Sequence, residues 1–363
     1  MRQARFIESI MTDPSSTIPW AQPTRQAAFE RWLGPVAARH ALEPASVRIA
    51  SADASSRRYF RIDSPAGSMI VMDAPEQAEG VERFVRIAGL IAGAGLHGPQ
   101  ILASDAPEGF VLMTDLGSTL YLDALTGATP RQADALMRDA LLALVQWQSQ
   151  VDGASLPPYD EALLMRELQL FPEWCVQREH GVSWGEGERA VWERTCRLLV
   201  DSALAQPKVA VHRDWMPRNL MVADPNPGIL DFQDAVHGPA TYDIASLLRD
   251  AFVSWDEERE IDWAVRYWEQ ARRAGLFADA PMADDFGEFW RALEWMGLQR
   301  HLKVLGIFCR LKHRDGKPRY AADLPRFFGY AMKVAVRYRP LEPLLPLLEP
   351  LAGVSAETGF TLR

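Results

Sequence analysis

The chain has 363 residues, 48% hydrophobic and 24% charged, with a formal net charge of −9 at pH 7. That length allows more than one core, and the acidic balance argues against general nucleic-acid binding. Three widely spaced cysteines, Cys175, Cys196 and Cys309, suggest neither a disulfide framework nor a zinc site, no apolar core in Met1–Pro14 reads as a signal peptide, and no run approaches the roughly 18 apolar residues of a membrane span, so a cytoplasmic protein is expected.

In chain order, Phe29, Trp32, Leu33 and Val36 share one face of a first helix. Val47–Ala50, Arg58–Asp63 and Met69–Asp73 then read as short strands joined by tight polar turns, an antiparallel pattern. Glu76–Gly95 carries a helical period through Val81, Phe84, Val85, Ala88 and Ile91. Gln100–Ser104 and Phe110–Thr114 flank the turn Asp105-Ala-Pro-Glu-Gly109. The order β-β-β-α-β-β is that of a kinase small lobe, with Asp115-Leu-Gly117 as its hinge. Beyond it the chain turns helical. Thr129-Pro-Arg-Gln132 combines a capping box with proline at the first helical position. Further helices are expected over 160–180, 187–205, 242–252, 259–274, 284–314 and 321–338, with the last 24 residues wrapping the surface between prolines. The expected fold is α+β and bilobal, protein-kinase-like. Residues 1–114 form a five-stranded antiparallel N-lobe and 115–363 a mainly helical C-lobe.

The chemistry concentrates in Val211-His-Arg-Asp-Trp-Met-Pro-Arg-Asn219 and Ile229-Leu-Asp-Phe-Gln233. A His-x-Asp, four residues, an Asn and an Asp twelve residues later is the order a phosphoryl-transfer site needs. Asp214 can accept a proton from an attacking hydroxyl, as base or as positioner. Asn219 and Asp231 offer hard oxygens to a Mg²⁺ that bridges nucleotide phosphates. Short strands at Leu220–Ala223 and Ile229–Asp231, joined through Asp224-Pro-Asn-Pro-Gly228, would bring the two back to one spot. His212 reads as a loop-holding residue, and Arg213 as either a carboxylate partner or a solvated side chain. Asp243, in Thr-Tyr-Asp-Ile-Ala, reads as a brace for the catalytic loop through backbone hydrogen bonds.

Phosphate binding is less conventional. Ser51–Ser56 lies where a phosphate-covering loop belongs, and Ser55 and Ser56 can donate to phosphate oxygens; without glycines it also reads as a plain polar turn. Residues 1–207 contain no lysine, so the third-strand lysine of a kinase is absent. Arg58 or Arg61 is the expected substitute, since the guanidinium fork suits phosphate. Residues 299–320 carry seven Lys or Arg among apolar residues. They read either as a solvated helix face or as Arg300, His301 or Lys303 turned toward an anionic or polyhydroxylated acceptor.

These features together resemble the aminoglycoside phosphotransferase and choline kinase superfamily. Ser51–Arg61, Phe171-Pro-Glu-Trp174, Leu230–Val236, Ser246–Asp250 and Leu298–Gly306 are more closely similar to the N-acetylmuramate/N-acetylglucosamine anomeric kinases of bacterial peptidoglycan recycling. The resemblance implies ATP-dependent, Mg²⁺-dependent phosphorylation of an amino sugar at C1 to the α-1-phosphate. It implies Asp214 as base and Asn219 and Asp231 as Mg²⁺ ligands. Met113, Asp115 and Leu116 would lie at the adenine-facing hinge, and the sugar pocket among Glu173, Gln233, Asp234, Arg249, Arg300 and His301. A muramic lactyl carboxylate calls for one arginine there. The partner would be the small-molecule sugar alone, with no nucleic acid or membrane and a monomer favoured. Aminoglycoside or choline phosphorylation is the near rival, because fold does not choose the acceptor. A nucleotide-binding pseudokinase is the non-enzyme reading, resting on the lysine gap alone. A protein kinase is disfavoured by Met216 two residues after Asp214 and by Asp231-Phe-Gln.

Overall fold

The computed structural model describes residues 18, 20, 22–51, 57–75 and 78–355. The chain packs as two units. One is Met1–Ser118 with Ala223–Gln233, the other Thr119–Val222 with Asp234–Arg363.

The first unit opens with α1 (Pro23–His40), whose proline sits in the first turn, where its missing N–H costs nothing. Strands β1 (Glu43–Ser51), β2 (Arg58–Ser64) and β3 (Gly67–Asp73) follow, then α2 (Ala78–Gly93), β4 (Ile101–Asp105) and β5 (Phe110–Thr114). Among the described residues the strands form one antiparallel sheet in the order β1-β2-β3-β5-β4. Alternation along β2 turns Phe60 and Ile62 to one face, where they pack with Phe29 and Leu33 of α1, Val71, Phe110 and Leu112. Trp20, Phe29, Phe60 and Phe110 meet there with ring centroids 5.1–5.7 Å apart. Gly109 must be glycine. Its φ is +77°, and an added Cβ would fall 2.2 Å from the Ala74 carbonyl oxygen. Strand β8 (Gly228–Ile229) belongs to this unit; the Ile229 amide donates to the His97 carbonyl at 2.8 Å, and Phe232 packs on Phe84.

The second unit is mainly helical. It holds α3 (Tyr121–Leu125), α4 (Pro130–Gln150), α5 (Glu161–Leu168), α6 (Glu186–Leu204), strands β6 (Lys208–Val211), β7 (Leu220–Met221) and β9 (Val236–Pro239), then α7 (Tyr242–Leu248), α8 (Glu257–Arg273), α9 (Phe286–His313), α10 (Leu324–Arg337) and α11 (Leu345–Ala352). The capping box expected at Thr129 is formed: the Gln132 amide donates to the Thr129 hydroxyl and the Thr129 amide to the Gln132 side chain. Strand β6 pairs antiparallel with β9, and its Val209, Ala210 and Val211 are buried. No helix of the described residues is long and apolar enough to cross a membrane.

Three expectations are corrected. The stretch 160–180 is helical as expected but is not one α-helix: α5 stops at Leu168 and Phe171–Glu179 forms a π-helical segment. Pro172 lacks the N–H that α geometry would bond to the Leu168 carbonyl, and its ring would crowd that oxygen. Helix α7 stops at Leu248, four residues early, because the Asp250 carboxylate takes the amides of Phe252 and Val253. The proline-rich end does not merely wrap the surface. Pro346 starts α11, and Leu341, Leu344 and Leu348 are fully buried.

Candidate active site

The loop after β6 is held from beneath. The buried Asp243 carboxylate at the head of α7 accepts the backbone amides of His212 (2.7 Å) and Arg213 (2.9 Å). This is the bracing role expected for it, and it fixes Arg213 at φ +77°, a left-handed conformation costly for a residue with a Cβ. Burial pushes the Asp243 carboxyl up to about 7, against the two amide hydrogen bonds that favour its ionised form. His212 is fully buried, edge-on to Trp147 and Trp215. Its Nδ1 accepts from the Asp214 backbone amide at 3.3 Å, a contact within the loop. Pro217 then opens a single 3₁₀ turn to Asn219. The Asn219 side-chain nitrogen donates to the Asp214 carbonyl at 3.0 Å, and its backbone amide to Met216 at 2.8 Å. The loop is thus cross-braced on both sides of Asp214, whose own side chain is half-buried.

Beside it lies a group that sequence reasoning missed. Glu167 of α5 accepts from Arg213 (2.5 Å), Lys303 (2.9 Å), Gln299 (3.3 Å) and the Tyr159 hydroxyl. Burial alone would raise its carboxyl. Lys303 and Arg213 outweigh that and hold it down to about 2. Arg213 is therefore the carboxylate partner of the two readings offered for it. The available signal was an acidic residue between the apolar positions Leu164 and Leu168 of a short helix.

Asp214 opens onto a cavity of about 160 Å³ inside the second unit, shared with Arg218, Tyr242, Arg300 and Lys303. Its apolar wall includes Phe252, Ile307, Phe308 and Phe327. Arg300, Lys303, Val304 and Ile307 reach it from α9 because i, i+3, i+4 and i+7 share a helix face. Arg300 and Lys303 are therefore buried against the cavity and not on a solvated helix face. Further on, Lys312 and His313 pair with Glu179, and Arg314 with Asp315.

The other expected sugar-pocket residues do not line this cavity. Arg249 is 1% exposed and paired with Glu260 (3.2 Å) and Glu294 (2.8 Å), inside an ionic cluster that also takes in Arg337. Its sequence neighbourhood gave no warning, since both carboxylates come from later helices. His301 is turned about 100° from Arg300 around α9. It is 0% exposed and stacked on Tyr330 at 4.9 Å, and burial pushes its imidazole well below the ordinary value, toward the neutral form. Glu173 is exposed on the π-helical segment, and Asp234 is half-buried just after β8. Gln233 is buried in the first unit, donating to Asp231 at 2.9 Å.

In the first unit, Arg58 and Arg61 lie on opposite faces of β2 and both bind carboxylates. Arg58 joins Arg25 on the fully buried Asp73, through Nε contacts of 3.0 and 2.9 Å, and lies over Trp20. It therefore sits on the α1 face of the sheet. Arg61 pairs with Asp115 (2.5 Å), whose carboxylate also accepts from Ser68 and from the Gly117 amide. Asp115 thus spends its side chain on closing the end of β5. Met113 is buried opposite Ile70, and Leu116 is buried beside it. Ser55 and Ser56 lie outside the described residues.

For a divalent cation the donor chemistry fits. Asn219 and Asp231 supply hard oxygens, and each side chain is oriented by a hydrogen bond. Asp231 is exposed at φ +58°. Among the described residues no cluster of three or more His, Cys, Asp or Glu could hold a metal.

Residues 46–282 match the phosphotransferase enzyme family. The chain is 55% identical to an N-acetylmuramate/N-acetylglucosamine kinase of Pseudomonas aeruginosa, over 82% of this chain and 86% of that protein. It is 44% identical to one of Neisseria meningitidis, over 93% and 99%. Among solved structures, an ADP-bound aminoglycoside phosphotransferase aligns with TM-score 0.54 at 12% identity, covering 85% of this chain and 98% of that one. A choline/ethanolamine kinase family protein from Mesorhizobium loti aligns with TM-score 0.56 at 15% identity, over 91% and 99%. At such identities the structural likeness speaks for the fold, which is protein-kinase-like. The braced His-x-Asp loop, this fold and the family match converge: the chain belongs to the phosphotransferase enzyme family and is a kinase.

Proposed function

We propose that the chain transfers the γ-phosphoryl group of ATP to the anomeric hydroxyl of N-acetylmuramate and N-acetylglucosamine, giving the sugar α-1-phosphate for peptidoglycan recycling in the cytoplasm. The observation that carries the reading is Asp214 on the wall of a small cavity, in a chain 44–55% identical to kinases named for these two sugars. Asp214 takes the proton of the attacking hydroxyl; an anomeric hydroxyl is more acidic than an ordinary alcohol, so a carboxylate is an adequate base. Asn219 and Asp231 would hold Mg²⁺, which supplies charge neutralisation on the nucleotide phosphates. Met113, Asp115 and Leu116 would face adenine, and Ser55 and Ser56 would donate to the phosphates. The working division is a nucleotide-handling lobe at 1–114 and a catalytic, sugar-binding lobe at 115–363, acting as a monomer. The cavity carries Arg218, Arg300 and Lys303, which disfavours a cationic acceptor such as choline or an aminoglycoside.

Phosphorus NMR of the products from ATP, Mg²⁺ and a panel of N-acetylmuramate, N-acetylglucosamine, choline and kanamycin tests this. A sugar 1-phosphate signal is expected, falling by about a thousandfold in rate or more in Asp214→Asn. Choline or kanamycin phosphate would overturn the acceptor, and an Asp214→Asn variant of near wild-type rate would overturn the base.

A further inference from the structure

Helix α9 presents two cations to the cavity, and only one of them meets a carboxylate there. Lys303 lies 2.9 Å from Glu167 and 2.9 Å from the Tyr242 hydroxyl. Arg300 is 3% exposed and makes no ion pair among the described residues. Its Nη2 reaches only the Met216 sulfur, at 3.9 Å, and its Nη1 is buried with no hydrogen-bond partner. The two carboxylates whose charge it feels, Asp243 and Asp250, are bonded to backbone amides instead. A guanidinium has five donors and does not deprotonate, so the charge cannot be relieved by neutralisation. A buried charge in this condition is costly unless something entering the cavity pairs with it.

The two sugars in the relatives' names differ at one place: N-acetylmuramate carries a lactyl ether with a carboxylate on O3, and N-acetylglucosamine a hydroxyl. Resting on the proposed amino-sugar kinase reading, we infer that Arg300 is the specificity residue that binds this carboxylate through its planar fork, while Asp214 faces the anomeric hydroxyl. The contact is the same before and during phosphoryl transfer, so it acts on binding and appears in KM more than in kcat. Phe252, Phe308 and Phe327 keep the pair in a low-dielectric wall, where a charge-assisted bidentate contact is strong.

Initial rates on each sugar separately, with the full chain as wild type, Arg300→Met and Arg300→Lys, decide the matter. The ratio of kcat/KM for N-acetylmuramate to that for N-acetylglucosamine is expected to fall tenfold or more in Arg300→Met, through KM, and by an intermediate factor in Arg300→Lys, which keeps the charge and loses the fork. An unchanged ratio, or an equal fall in kcat on both sugars, overturns the assignment while leaving the kinase reading intact. If Arg300→Met does not fold, Arg300→Lys decides alone: a lowered ratio supports the role and an unchanged one overturns it. A wild type that phosphorylates neither sugar overturns the proposed function, and this inference with it.

Discussion

Glu167 joins two cations, the half-buried Arg213 of the His-x-Asp loop and the buried Lys303 of α9. Removing one partner of such a set leaves charge buried without compensation, which typically costs about 3 to 5 kcal/mol. Glu167→Gln is expected to destabilise the protein by that order at neutral pH, read as a lowered urea midpoint. The pH dependence has a definite sign. The folded carboxyl is held near 2, below its ordinary 4.5, so the unfolded chain takes up the proton first as pH falls. The stabilisation is complete above the unfolded value and disappears as pH drops through about 2. The gap between wild type and variant should therefore be widest above about pH 5 and narrow toward about pH 3. A gap that stays constant over that range would mean that Glu167 is not ionised by its partners. Asp214, Asn219 and Asp231 are picked out by residue type and spacing because phosphoryl transfer restricts both, and their roles stay proposals. The buried settings of Glu167, Arg249 and His301 were not legible, since they depend on which distant helix supplies the neighbour.

At the scale of elements, the sharpest requirement is where α9 passes the end of α5. A Cβ at Gly306 would lie 2.4 Å from the Leu170 carbonyl carbon and 2.5 Å from its oxygen. Gly306→Ala gains roughly 1 kcal/mol of helix propensity. It also forces two backbones apart, an overpacking cost of about 1 to 3 kcal/mol. Backbone cannot rotate away as a side-chain end can, so the net effect is expected to be destabilising, with a lower melting temperature and a cavity displaced on its α9 wall. A raised melting temperature would show that the crossing is looser than the distances imply. Strands β2, β3 and β5 and helices α4, α6 and α8 were readable from alternation, period and caps, which act within a few residues. The change of geometry at Phe171–Glu179 was missed because Pro172 was read through as ordinary helix, and the buried α11 because its prolines were taken as endings, whereas Pro172 widens a turn and Pro346 sits in a first helical turn.

For the whole molecule, ligand linkage gives the broadest test of the proposed function. A ligand that binds only the native state at a hundred times its Kd adds about 2.7 kcal/mol of stability. ATP with Mg²⁺ is expected to raise the melting temperature clearly, ATP without Mg²⁺ much less, and Asp231→Asn should abolish most of the difference between them. An Mg²⁺-independent shift of equal size would remove Asp231 from the cation's ligands. The β-β-β-α-β-β order was visible in the residue pattern. The division into units was only partly so, because Ala223–Gln233 joins the first unit from far along the chain and no local signal reports a return of that kind.

The buried ammonium of Lys303 has one more consequence, for anyone labelling the protein. The chain has five lysines, at 208, 303, 312, 317 and 333, all in the second unit. Lysine labels therefore fall in the second unit alone. Four of the five sites face solvent to some degree, while Lys303 is screened by Glu167 and Tyr242, which also keep it protonated. Isotope-tagged methyl groups placed on these amines would give four ordinary resonances and one slow-reacting outlier, a built-in spectroscopic probe on the wall of the Asp214 cavity.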